Sequence, residues 1–341
     1  MKAITFEGAG DADVLRLVDE PMPEIRPNDL LVRVRAAGIN RADILQRQGF
    51  YGARPDFGDS LVPGLEIAGE VVEVGPKAEG YKIGDRVMAI VGGGGYAEYA
   101  RVDSSMCMPV PDVLSYAQAA AIPEVSVTAH EALVHLGELK AGNWVLIHAA
   151  AGGVGSAAVL LAHAIGAKIV FTASGEERIA RVTALGGTVG VDYRKQDFLS
   201  AALEATGGRG VDVVIDFVGG PYLDRNLRAL APGGRLIQVG ILGGTEGILP
   251  IDLLVHRHLR IIGTVMKSRT FEEKVAMTAR FQKHWHSAFV DGALKPIVDR
   301  VFPLERAAEA HRSMEASENF GKIILSMDEA SQSFAPLQGT T

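Results

Sequence analysis

Trp144-Val145-Leu146-Ile147-His148-Ala149-Ala150-Ala151-Gly152-Gly153-Val154-Gly155 reads as a strand that enters a glycine turn and leaves as a helix. An apolar run without alternation suits a strand covered on both faces, as in a parallel sheet. Within the turn, Ala150, Gly152 and Gly155 keep the spacing of the dinucleotide fingerprint, with alanine in the first glycine's place. Gly152 lets the backbone approach a pyrophosphate, and Gly155 lets the helix pack closely on the strand. The helix start offers unpaired N–H groups and the positive end of its dipole to the phosphates. Ala151, Gly152, Gly153 and Val154 are therefore candidate cofactor contacts.

Downstream, the rhythm supports the same reading. Strand-like runs at 144–148, 168–172, 189–191, 211–217, 235–239 and 259–265 alternate with helical stretches such as 155–165 and 176–185. Six strands with crossover helices predict a doubly wound parallel sheet over residues 126–266. After Lys267 the alternation stops: a long helix over 271–289, a strand at 295–302, a helix at 304–316 and a strand at 322–326 predict a separate segment, 267–327. The polar stretch 328–341 reads as a loose tail. Residues 1–125 hold short, nearly alternating runs such as Leu30-Leu31-Val32-Arg33-Val34-Arg35, with Gly and Pro between them. This pattern predicts a barrel-like all-β unit.

The second strand of the sheet selects between nicotinamide nucleotides. It ends at Thr172-Ala173-Ser174-Gly175, with no acidic residue to hold a ribose 2′-hydroxyl and repel a 2′-phosphate. Ser174 can donate to a phosphate and Arg178 supplies charge, which favours NADPH. Tyr193, after the third strand, is placed to lie near the same group.

Composition narrows the function classes. A net charge of −7 over 341 residues, without a basic cluster, argues against a nucleic-acid partner. The longest apolar stretch, 157–165, is too short to span a bilayer. With a single cysteine, Cys107, and no apolar signal core at Met1-Lys2-Ala3-Ile4-Thr5-Phe6, a soluble cytoplasmic protein is expected.

Several segments resemble a known family. Ala36-Ala37-Gly38-Ile39-Asn40-Arg41-Ala42-Asp43, Pro63-Gly64-Leu65-Glu66-Ile67-Ala68-Gly69-Glu70, Ala119-Ala120-Ala121-Ile122-Pro123-Glu124 and the Gly152 loop are similar to the zinc-free quinone oxidoreductases of the medium-chain dehydrogenase/reductase superfamily. Asn40-Arg41-Ala42-Asp43, then Gln46-Arg47-Gln48-Gly49 and Tyr51, resemble most the tumour-suppressor-inducible branch. The resemblance runs to Gly321-Lys322-Ile323-Ile324-Leu325. It implies an α/β fold: a GroES-like β-barrel domain plus a Rossmann doubly wound parallel sheet domain, with the C-terminal segment returning to the barrel and the cofactor in the cleft between domains. It also implies a homodimer joined through the Rossmann sheet edge.

The same resemblance sets expectations for the site. Zinc alcohol dehydrogenases of this fold bind the metal with Cys, His and Cys; the corresponding positions here are Asn40, Leu65 and Glu124, so no metal is expected. Without a Lewis acid, a conjugated acceptor is favoured, because conjugation spreads the developing charge. The implied activity is NADPH-dependent, zinc-independent hydride transfer to a quinone. Reduction of an alkenal or enoyl C=C bond is the alternative, and a non-catalytic, crystallin-like NADPH-binding role is the second. Asn40 and Tyr51 are the candidate catalytic residues, able to donate to the acceptor's oxygen. The resemblance carries cofactor contacts onto Asn40, Thr128, Ala151, Gly152, Gly153, Val154, Ser174, Arg178, Tyr193, Val218, Gly240, Ile241, Met266 and Asn319. Asp43 is expected to fix its own loop, and Glu66 to make a structural ion pair.

Overall fold

The computed structural model describes residues 1–50 and 60–328. Tyr51, one of the two candidate catalytic residues, lies outside them, as does the stretch 329–341. The chain divides into two compact units: the first is Met1–Glu124 with the chain from Lys274 onward, and the second, inserted in it, is Val125–Glu273. The second unit thus extends past Met266 to take in the turn Met266–Ser268 and the start of the long helix Phe271–Val290.

The first unit is built on strands. These are β1 (Lys2–Thr5), β2 (Arg16–Asp19), β3 (Asp29–Gly38), β4 (Glu66–Val74), β5 (Arg86–Ile90), β6 (Tyr99–Asp103) and β7 (Cys107–Pro109). β3 is the organising strand. It pairs antiparallel with β4 along one edge, and on the other with β6 through its first half. Its inward residues Leu30, Val32 and Val34 are buried, as the alternating sequence requires.

The inserted unit contains β8 (Trp144–Ile147), β9 (Lys168–Ala173), β10 (Val189–Asp192), β11 (Val211–Asp216), β12 (Leu230–Gln238) and β13 (Arg260–Gly263). Their spatial order is β10-β9-β8-β11-β12-β13 and every pairing is parallel. That order reverses between β8 and β11, which is the topological switch point of a doubly wound dinucleotide-binding sheet. Leu146, Val170, Val191, Phe198, Val214 and Leu236 form its core. β12 starts at Leu230, earlier than the residue-235 start expected from the sequence. The early part holds Pro232-Gly233-Gly234, and its register with β11 shifts between Val211 and Val213.

The chain then returns to the first unit as β14 (Val298–Pro303) and β15 (Lys322–Ser326). β15 pairs with the last residues of β3, Ile324 opposite Gly38, and β14 runs parallel to β15. The expected strand at 295–302 thus begins and ends slightly later. Among the described residues no helix is long and apolar enough to cross a membrane.

Candidate active site

In a parallel sheet all strands deliver their carboxyl ends to one side, so residues that follow them converge there. Ala151 to Val154 follow β8, Ser174 follows β9, Tyr193 follows β10 and Val218 follows β11. Gly240 and Ile241 follow β12, and Met266 follows β13. Thr128 sits apart from these, on the helix Pro123–His130 that precedes β8.

The glycine turn has the shape that a phosphate cradle needs. Helix Gly153–Ile165 begins at Gly152, which has no side chain to cap it, so the first-turn N–H groups of Gly153, Val154 and Gly155 stay open. A Cβ at Gly155 would sit 2.2 Å from the Ala149 carbonyl oxygen and 2.8 Å from Ala150 Cα. Only glycine lets the helix lie this close to the loop that feeds it. At Gly152 the same atom would meet only the Ala149 oxygen, at 3.3 Å, so this position is glycine for a reason other than internal packing.

At the end of β9, Arg178 Nη1 donates to Ser174 Oγ at 2.8 Å. Gly175 makes this possible with φ +79° between the strand and helix Glu176–Ala184. Glu176 leans away to Lys195 at 3.8 Å. The Tyr193 N–H donates to the Ala173 carbonyl, which draws the loop after β10 toward the same strand end.

The first unit holds a second constellation, around the end of β3. Lys322 is 2% exposed and Glu66 fully buried, yet both are ionisable. The ammonium donates to Glu66 Oε1 at 2.6 Å, to Asn40 Oδ1 at 2.8 Å and to the Ile39 carbonyl at 2.5 Å. Its three protons thus have three acceptors, the condition under which a buried charge is tolerated. Asn40 Nδ2 donates to Glu66 Oε1 at 2.9 Å and to the Gly38 carbonyl at 3.3 Å. Gly38 is required here, since its Cβ would fall 2.3 Å from Glu66 Oε1. The Glu124 N–H donates to Glu66 Oε2 at 2.8 Å, and Glu124 Oε2 is buried with no hydrogen-bond partner. Burial, and then the Glu66 charge, push the Glu124 carboxyl up to about 8.

Asn40 opens helix Arg41–Arg47, and Asp43 accepts its N–H at 2.8 Å. Asp43 also accepts the Tyr96 hydroxyl at 2.9 Å, and Tyr96 in turn accepts from His311 Nε2 at 3.1 Å. Burial raises the Asp43 carboxyl to about 6 and lowers the His311 ring to about 3, the latter aided by the Arg47 charge. Asp43 therefore fixes its own loop, and Glu66 makes an ion pair, as the sequence suggested. The partner of Glu66, Lys322, is a residue that no pattern in the sequence marks. Asn319 lies just before β15, where its Nδ2 donates to the Gly321 carbonyl. Among the described residues no group of three or more His, Cys, Asp or Glu is placed to hold a metal ion.

Comparison with known proteins agrees with this construction. Residues 26–112 match the alcohol dehydrogenase GroES-like domain and residues 153–280 the family described as zinc-binding dehydrogenase. Human quinone oxidoreductase is 35% identical over 328 residues, covering 95% of this chain and 97% of the human protein. The crystal structure of an NAD-dependent alcohol dehydrogenase superposes with a TM-score of 0.86 at 34% identity, over 96% of this chain and 100% of the other. A mycobacterial protein complexed with NADPH superposes with a TM-score of 0.85 at 29% identity, over 96% of this chain and 100% of the other. The chain belongs to the medium-chain dehydrogenase/reductase superfamily, as a relative of the quinone oxidoreductases, and is an oxidoreductase that works with a nicotinamide cofactor.

Proposed function

We propose that the protein transfers hydride from NADPH to a quinone and needs no zinc to do so. The observation that carries this reading is the buried Lys322 ammonium, seated between Glu66 and Asn40. The residues around it do not fit a catalytic zinc. Leu65 offers no donor atom, the Asn40 oxygen is taken by the ammonium, and a second cation beside Lys322 is opposed by its charge. In the zinc alcohol dehydrogenases of this fold the metal polarises a simple alcohol or ketone, whereas a quinone spreads the incoming charge by conjugation.

The nicotinamide supplies the hydride when bound, and the chain's own residues bind and align the reactants. We assign the pyrophosphate to the open N–H groups of Gly153 to Gly155, with Ala151 and Gly152 in the turn before them. The 2′-phosphate is assigned to Ser174 and Arg178, with Tyr193 beside them. Val218, Gly240, Ile241 and Met266 line the remaining strand ends; Thr128 and Asn319 are further proposed contacts. Asn40 has both amide hydrogens and its oxygen engaged within the first unit. We therefore assign it as a fixed wall that orients the reactants rather than as a free donor to the acceptor's oxygen. Tyr51 remains the proposed donor. The partner is a small molecule, not a nucleic acid, in a cytoplasmic setting. A second copy of the chain is proposed to pair along edge strand β13, where Ile261 is exposed.

The test is steady-state oxidation of NADPH and NADH against ortho-quinones and enones, with and without a strong zinc chelator. Quinone-dependent NADPH oxidation that the chelator leaves unchanged is expected. Activity on enones with none on quinones favours C=C reduction instead, and loss of activity on chelation defeats the metal-free reading. Arg178→Ala should raise the KM for NADPH about tenfold or more, the scale of one charge-assisted phosphate contact, and leave that for NADH within about twofold. Equal losses for both nucleotides rule the phosphate contact out.

A further inference from the structure

Turns follow the carboxyl ends of β8, β9, β11 and β12, and one buried file of polar side chains ties these turns together. It runs from Thr172 through His148 and Asn226 to Asp216, none of them more than 2% exposed. Thr172 Oγ1 lies 3.2 Å from Ala149 N and 3.1 Å from His148 Nδ1. His148 Nε2 lies 2.8 Å from Asn226 Oδ1, and Asn226 Nδ2 lies 3.1 Å from Asp216 Oδ2. The Asp216 carboxylate also takes the N–H groups of Val218 at 2.7 Å and Gly219 at 3.1 Å. Its main-chain carbonyl accepts from Val239 at 2.8 Å and Gly240 at 3.2 Å.

The donor directions in this file follow from one end. A carboxylate facing N–H donors accepts only, so Asn226 turns its nitrogen to Asp216 and its oxygen to His148. His148 Nε2 must then carry the hydrogen, which leaves a lone pair on Nδ1. The Thr172 hydroxyl donates to that lone pair and accepts the Ala149 N–H. Inverting any single member sets donor against donor or acceptor against acceptor in a dry interior, where unmatched polar groups are costly. Burial keeps His148 below its ordinary range, outweighing the nearby Asp216 charge, so the ring is neutral as the file requires.

The residue held at the other end is strained. Ala149 has φ +47°, a left-handed conformation that is unfavourable for a non-glycine residue. It turns the chain from β8 into the Gly152 loop, and its carbonyl accepts the Gly152 N–H at 3.0 Å. Thr172 grips this turn twice: its hydroxyl takes the Ala149 N–H, and its carbonyl takes the Ala150 N–H at 3.0 Å.

We propose that Thr172, His148 and Asn226 are positioning residues for the nucleotide, holding the strained Ala149 turn so that the N–H groups of Gly153 to Gly155 are aimed before the pyrophosphate arrives. The proposal rests on the nucleotide reading given above. An apolar trio would fill the same volume beside Phe198 and Tyr222, which pack against the His148 ring; only a directional polar file also sets the orientation of the Ala149 amide.

Thr172→Val keeps the side chain's shape and removes the hydroxyl. The Kd for NADPH, read from its fluorescence, should rise about tenfold, the scale of one lost hydrogen bond to the turn. The KM for NADPH should follow, with kcat at saturating NADPH and the KM for quinone nearly unchanged. Thr172→Ser should restore binding to within about threefold. In the wild type, nitrogen-15 spectra of labelled histidine should show His148 protonated on Nε2 alone. A valine variant that binds NADPH like the wild type, or an Nδ1-protonated ring, overturns the proposal. If the wild type itself fails to bind NADPH, the cofactor reading falls, and the ring's tautomer still judges the hydrogen-bonded file by itself.

Discussion

Lys322→Met should destabilise the first unit by about 3–5 kcal/mol, the cost of leaving one member of a buried ion pair without its partner. The Glu66 carboxylate is fully buried, and besides the ammonium it accepts from Asn40 Nδ2 and from the Glu124 N–H. Removing the ammonium strands the Asn40 oxygen and the Ile39 carbonyl as well. Trp285, buried in the long helix of the first unit, reports the transition by fluorescence in a Trp144→Phe background. The double variant Lys322→Met with Glu66→Gln should recover most of the loss, because no net charge is then buried. A single variant within about 1 kcal/mol of the wild type means the pair is not formed as described.

Gly155→Ala should abolish measurable NADPH binding, and Gly152→Ala should weaken it without disturbing the fold. The two glycines stand in one loop but answer to different neighbours. At Gly155 the added methyl runs into the Ala149 carbonyl and Ala150 Cα, both backbone atoms that cannot step aside, so helix Gly153–Ile165 must lift from the loop. Thermal unfolding of the inserted unit should fall together with binding. At Gly152 the methyl touches the chain only at 3.3 Å and φ is −78°, which alanine adopts freely. Its melting temperature should stay close to the wild type while the Kd for NADPH rises tenfold or more, if the methyl occupies the side we assign to the pyrophosphate. Equal behaviour of the two variants, in binding and in melting, would mean that the loop serves packing alone.

What could be read before folding, and what could not, divides along the same lines. The inserted unit was legible because its logic is local: an apolar strand, a glycine turn and a helix, repeated with crossover helices until six strands had been named. The proposed cofactor contacts, carried over by the family resemblance, lie mostly at the strand ends that this order sets. The first unit is held by pairs distant in sequence, such as Lys322 with Asn40, 282 positions apart, and Tyr96 with His311, 215 apart. A single lysine in a closing strand carries no periodic signal, so Lys322 enters the sequence reading only as a member of the closing run Gly321-Lys322-Ile323-Ile324-Leu325. Glu124 was weighed only as a non-ligand, and its buried, unpartnered oxygen had no sequence mark. His148 and Asn226, 78 residues apart, were invisible for the same reason, although the strained residue beside His148 sits inside the very loop that decided the fold.

The pairing of β3 with β15 bears on how the polypeptide is made. β3 emerges from the ribosome early, yet its last residues wait for a partner translated near the other end of the chain. The inserted unit, continuous in sequence, can finish its own sheet in the meantime and so bring the two distant segments within reach of each other. Assembly of the first unit is therefore a long-range step, and until β15 is made the edge of β3 that will receive it stands unpaired and open to wrong partners.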